Sequence, residues 1–122
     1  AILLPVSAPF HSTLMAPAAD AMAEALGKVA AKSPVVPVVA NVRAEPVTDS
    51  SEIVKLLVEQ VTGQVRWRET IEWFAKNGVT SLYEIGSGKV LTGLVRRIDK
   101  SLAGTAVNTP GDIDAALTAL NG

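Results

Sequence analysis

Cysteine is absent from this 122-residue chain. That excludes a disulfide framework, a thiol nucleophile and a thiolate zinc cluster. A single histidine, His11, excludes a histidine-rich metal site, and no metal centre is expected. No apolar run reaches the roughly 18 residues that a membrane span requires, so no membrane partner is expected. The opening Ala1-Ile2-Leu3-Leu4-Pro5 lacks a basic region and a long apolar stretch, so it does not read as a signal peptide. It also lacks an initiator methionine, and the chain reads as cut from something longer. Excess charge is lacking too: 11 basic and 12 acidic residues leave a net charge of −1. That balance carries no nucleic-acid footprint, though it allows a small basic patch for an acidic protein partner. The absence of cysteine fits a cytoplasmic location.

Apolar residues are plentiful instead. They make up 48% of the chain, with a mean hydropathy of +0.32, so much of it is built for burial. The length suffices for one domain with a core. Residues 2–6 read as a short strand and 7–10 as a turn. A helix is expected over 13–32, with Leu14, Ala18, Met22, Leu26 and Val29 on one face. Pro17 belongs in its first turn, Ser12 reads as its N-cap, and Ser33-Pro34 stops it. Residues 35–40 look like a strand buried on both faces, with Pro37 placing it at an edge or a strand end. Residues 41–50 read as loop. Asp49 and Glu52 form a capping-box pattern that opens a helix over 51–61, ended by Gly63. Further helices are expected at 67–76, with Ile71 and Phe74 inward and Asn77-Gly78 as the C-cap, at 89–100, and at 110–120 behind Thr109-Pro110. Strands are expected at 79–85 and 105–107. Strands alternating with helices predict an α/β layer with parallel strands.

His11 follows a proline turn and opens the first helix. On position alone it is a hydrogen-bonding turn residue. Its chemistry also suits a general base, because imidazole titrates near neutral pH. A base needs a nucleophile, and no G-x-S-x-G elbow occurs in the chain. Gly86-Ser87-Gly88-Lys89 is not a phosphate loop: the spacing is too short, and Val90 stands where a Ser or Thr would touch magnesium. Its glycines suit a tight turn from strand to helix.

Four ordered segments carry a resemblance. They are Pro5-Val6-Ser7-Ala8-Pro9-Phe10-His11-Ser12-Thr13-Leu14-Met15, then Val36-Pro37-Val38-Val39-Ala40-Asn41-Val42, then Leu57-Val58-Glu59-Gln60 with Val65-Arg66-Trp67, and Glu84-Ile85-Gly86-Ser87-Gly88-Lys89-Val90-Leu91. Together they resemble the bacterial malonyl-CoA:acyl carrier protein transacylases, in order and along the whole chain. Ser87 departs from the proline usual there. The resemblance implies the C-terminal part of a hydrolase-like acyltransferase core over residues 7–122. Residues 1–6 would be the last strand of a small ferredoxin-like subdomain. It implies that His11 is the catalytic base and that a backbone carbonyl near Gln60 orients its ring. Asn41 would lie near the site. Phe10 would favour malonyl over methylmalonyl by filling the space of a methyl branch, where the plain reading makes it a core residue.

On this resemblance a serine on an elbow accepts malonyl from malonyl-CoA and passes it to the phosphopantetheine thiol of acyl carrier protein. No cofactor is implied, since malonyl-CoA and phosphopantetheine are substrates. The serine, the oxyanion-hole glutamine and the arginine for the malonyl carboxylate would lie upstream of Ala1, in an N-terminal part of the same enzyme. The isolated segment is then expected to be inactive. Arg96 and Arg97 could face the acidic carrier protein, although a solvated helix face is the simpler account. Two alternatives stay open: an acyltransferase domain of a polyketide or multifunctional fatty-acid synthase, and a non-catalytic α/β binding module.

Overall fold

A computed structural model describes residues 7–122. The expected strand at 2–6 and the boundary after residue 6 lie outside the described residues. The order of elements is a 3₁₀ turn (Thr13–Met15), α1 (Ala16–Gly27), β1 (Val38–Ala40), β2 (Glu45–Val47), α2 (Ser50–Thr62), α3 (Trp67–Lys76), β3 (Ser81–Ile85), α4 (Val90–Ile98), β4 (Ala103–Val107) and α5 (Pro110–Asn121). The chain forms two compact units that divide between Thr70 and Ile71.

In the first unit, α1 and the 3₁₀ turn pack against α2, which also contacts β1. Pro17 falls in the first turn of α1, where its missing N–H costs no hydrogen bond. The helix ends at Gly27 rather than near Lys32. Glycine weakens a helix by its backbone freedom, and here that outweighs the apolar periodicity continuing to Val29. The apolar face of this helix is largely open: Leu14 is 74% exposed, Met22 and Val29 are also exposed, and Leu26 is half-buried.

The strand expected over 35–40 shortens to Val38–Ala40, and Val35, Val36 and Val38 are exposed rather than buried on both faces. Pro34 and Pro37 flank the exposed valines and offer no N–H to a ladder. The segment read as loop contains β2, paired antiparallel with β1 in the register Val38–Val47, Val39–Pro46 and Ala40–Glu45. The hairpin closes over residues 41–44: Ala44 N–H donates to Ala40 O at 2.8 Å, with Ala44 at φ 55°. Asp49 caps α2 by accepting from the Glu52 N–H at 2.9 Å. The reciprocal half of the box is not made, because the Glu52 carboxylate accepts from Arg43 Nη1 instead. Gly63 ends the helix as expected.

In the second unit, β3 and β4 pair in parallel from Ser81–Ala103 to Ile85–Val107. This is the expected parallel arrangement, and α4 and α5 pack on it. The turn after α3 closes as a C-cap motif, with Val79 N–H reaching Phe74 O at 3.1 Å and Gly78 at φ 79°. Between β3 and α4, Gly86 at φ 137° and Gly88 at φ 92° adopt angles that a side chain would disfavour. Thr109 and Asp112 form a reciprocal capping box at the start of α5. Ile71, in α3, is fully buried; Phe74 is half-buried.

Candidate active site

His11 sits at φ 56° in the tight segment before the 3₁₀ turn. Its Nδ1 lies 2.8 Å from the main-chain oxygen of Gln60, 49 residues away. A carbonyl can only accept, so Nδ1 carries the proton in this pair. In the neutral ring Nε2 then holds the lone pair and is free to take a proton. Gln60 lies in the last turn of α2, where carbonyls have no amide partner within the helix. That end carries partial negative charge, a favourable neighbour for an imidazole that has gained a proton. Ser12 occupies the cap position, but its hydroxyl makes no cap bond. It donates to Pro9 O at 2.7 Å instead.

Asn41, the first residue after β1, joins this group. Its Nδ2 donates to Gln60 Oε1 at 2.8 Å, in a half-buried pair. Its own carbonyl accepts from the Arg66 N–H at 2.8 Å. The Arg66 guanidinium donates to Arg43 O at 2.9 Å and grips both oxygens of Glu69. The Glu69 pair raises the Arg66 pKa above its ordinary value. The Arg66 guanidinium in turn holds the Glu69 carboxyl below its usual range. Arg43 and Arg66 therefore brace the 41–44 turn that presents Asn41. Sequence reading missed both, because each acts through a main-chain or carboxylate contact that no motif marks.

His11, Gln60 and Asn41 are thus brought together. Phe10 lies beside His11 in sequence and is 56% exposed as a residue, so the plain core reading does not hold among the described residues. In the second unit, Glu84 turns its carboxylate onto the start of α4. It accepts from Thr92 Oγ1 at 2.6 Å, Thr92 N–H at 2.7 Å and Leu91 N–H at 3.1 Å. The Thr92 hydroxyl, followed by these amides, holds its pKa below the ordinary value. This makes the carboxylate a helix cap reached from a neighbouring strand. Arg96 and Arg97 are exposed on α4. Arg96 joins Lys89 and Lys100 around a concavity of about 810 Å³.

No family model matches the chain. Individual proteins do. The malonyl CoA-acyl carrier protein transacylase of Salmonella typhimurium is 48% identical over 118 residues, covering 97% of this chain and 38% of that protein. The crystal structure of an acyl-carrier-protein-S-malonyltransferase from Bartonella henselae superposes with a TM-score of 0.88 at 60% identity, covering 99% of this chain and 38% of that one. A malonyl-transacylase in complex with its type II PKS acyl-carrier protein matches with a TM-score of 0.83 at 42% identity, over 95% of this chain and 38% of that one. The chain thus spans a little over a third of the length of the relatives it matches. In sequence and in fold, the chain is similar to the C-terminal part of malonyl-CoA:acyl carrier protein transacylases.

Proposed function

We propose that this chain supplies the histidine base of an enzyme that moves malonyl from malonyl-CoA to acyl carrier protein. The single observation that carries the reading is the His11 Nδ1–Gln60 O hydrogen bond, which leaves Nε2 as the base. A serine hydroxyl from an N-terminal part of the enzyme attacks the thioester carbonyl. Its proton passes to Nε2 as the C–O bond forms. The C–S bond breaks, and the ring returns the proton to the departing thiolate of coenzyme A. The phosphopantetheine thiol of the carrier protein then attacks the malonyl ester. His11 takes the thiol proton and gives it to the serine oxygen, restoring the hydroxyl. The main-chain carbonyl of Gln60 does the work that a carboxylate does in a serine triad: it fixes the tautomer and orients the ring.

Asn41 supports the end of α2 through the Gln60 amide, and Phe10 lines the acyl side of the site beside His11. Both roles are part of this proposal. So are the assignment of residues 1–6 to a ferredoxin-like subdomain and of residues 7–122 to the acyltransferase core. The carrier-protein partner is supported by the related malonyl-transacylase found in complex with its acyl-carrier protein. The cytoplasmic location rests on the cysteine-free composition. Among the described residues no helix is long and apolar enough to cross a membrane.

The test is malonyl transfer to carrier protein by the full-length enzyme and its His11→Ala variant. Loss of about three to six orders of magnitude in kcat is expected when a member of the catalytic set is removed. Parent-like turnover by that variant would overturn the reading. Residues 1–122 alone are expected to transfer no malonyl, and turnover by that piece would disprove the division of labour.

A further inference from the structure

Ser12 stands where a helix cap stands, with extended backbone (φ −136°, ψ 167°) directly before the 3₁₀ turn. A serine there ordinarily accepts a hydrogen bond from an amide two or three residues ahead. Its oxygen makes no such bond. The hydroxyl donates backwards instead, to Pro9 O at 2.7 Å. The loop closed by that bond contains His11 at φ 56°, a backbone region that disfavours residues with a Cβ. Phe10 and His11 are the central pair of a main-chain turn between Pro9 and Ser12, and the Ser12 side chain bonds across the same turn. Phe10 N–H donates to Ala8 O before it, and Met15 N–H donates to Ser12 O after it. The Ser12 hydroxyl thus adds a side-chain tie across the backbone on either side of His11.

We infer that Ser12 is a positioning residue for His11. Its O–H, acting as a donor, holds the Pro9–Ser12 turn closed, and the turn aims Nδ1 at the Gln60 carbonyl. The inference rests on the reading of His11 as the base. It separates from ordinary helix capping by the direction of the bond. A cap needs an acceptor, whereas this turn needs a donor. Ionised aspartate is among the best caps but has no proton to donate. Threonine keeps the hydroxyl.

Ser12→Thr, Ser12→Asp and Ser12→Ala are compared in the full-length enzyme for kcat and for KM toward malonyl-CoA. Ser12→Thr is expected to stay near the parent. Ser12→Asp and Ser12→Ala are expected to lose roughly tenfold to a hundredfold in kcat, the scale of a small misplacement of a reacting group. KM is expected to hold, since ground-state binding is untouched. In the ¹⁵N-histidine-labelled full-length enzyme, the His11 signals are identified by their loss in His11→Ala. They are expected to show the Nδ1–H form in Ser12→Thr and a mixture of tautomers in Ser12→Ala. Should Ser12→Asp or Ser12→Ala fail to fold by circular dichroism, Ser12→Gly takes its place, because glycine caps nearly as well as serine and has no hydroxyl. Parent-like kcat in Ser12→Asp, or a rise in KM with unchanged kcat in Ser12→Ala, overturns the inference. Parent-like turnover by His11→Ala is a different failure and removes the base itself.

Discussion

The side chain of Asn41 donates to the side chain of Gln60 at 2.8 Å, while the main chain of Gln60 accepts from His11 at the same separation. One residue thus faces His11 with its carbonyl and the hairpin turn with its amide. The two contacts separate by mutation, because truncating the side chain leaves the carbonyl in place.

Gln60→Ala is therefore expected to keep the His11 contact and most of the activity, with a far smaller loss than His11→Ala. Gln60→Ala, Asn41→Ala and the double variant form a cycle. Its coupling energy in urea unfolding is expected at about 0.5–1.5 kcal/mol, the net worth of one hydrogen bond. Additive losses would show that the amide pair contributes nothing.

Glu84 gives a pH signature. Its pKa is lowered, first by the Thr92 hydroxyl and then by the Thr92 and Leu91 amides. A lowered carboxylate pKa means the charged form stabilises the fold. That contribution is present above the ordinary glutamate value and is lost as pH falls through the lower folded value. Glu84→Gln is expected to lower the thermal midpoint near neutral pH. Its deficit relative to the parent should shrink as pH falls through the lowered folded value, where the parent carboxylate becomes protonated too. A deficit independent of pH in thermal melts would show that the carboxylate's charge is not the stabilising element.

Ile71 is fully buried in α3. Ile71→Ala removes its packing and leaves a cavity, for an expected loss of about 2–5 kcal/mol. The urea midpoint should fall with little change in slope. A change below about 0.5 kcal/mol would place the residue with tolerant surface positions.

Phe10→Ser in the full-length enzyme is expected to raise use of methylmalonyl-CoA relative to malonyl-CoA. The change in the kcat/KM ratio should be about tenfold or more, the scale for one added carbon in an apolar pocket. An unchanged ratio would show that the exposed ring does not line the acyl pocket.

Much of the helical structure was legible because its signals are local. Asp49 and Gly63 bracket α2, Trp67–Lys76 has the expected bounds, and Thr109-Pro110 opens α5. The errors arose where a local rule met a stronger competitor. Periodicity carried the first helix past Gly27. Pro46 hid β2, which pairs with β1 across a turn whose closing residue, Ala44, is not one of the usual turn formers. The direction of the Ser12 hydroxyl was equally hidden, since a serine before a helix fits a cap and a turn closure alike.

The limits of α2, α3 and α5, the Asp49 and Thr109 caps and the glycine turn were settled along the chain itself, because each depends on groups within about four residues of one another. The proton on His11 Nδ1 was settled by folding. Its acceptor lies 49 residues away and is a main-chain oxygen that every residue possesses. Composition and periodicity do not mark which carbonyl at the end of α2 will meet the ring; the Gln60 carbonyl was expected through the family resemblance alone. Packing of α2 against the 3₁₀ turn brings the two within hydrogen-bond reach, and so fixes which ring nitrogen of a turn histidine carries the proton.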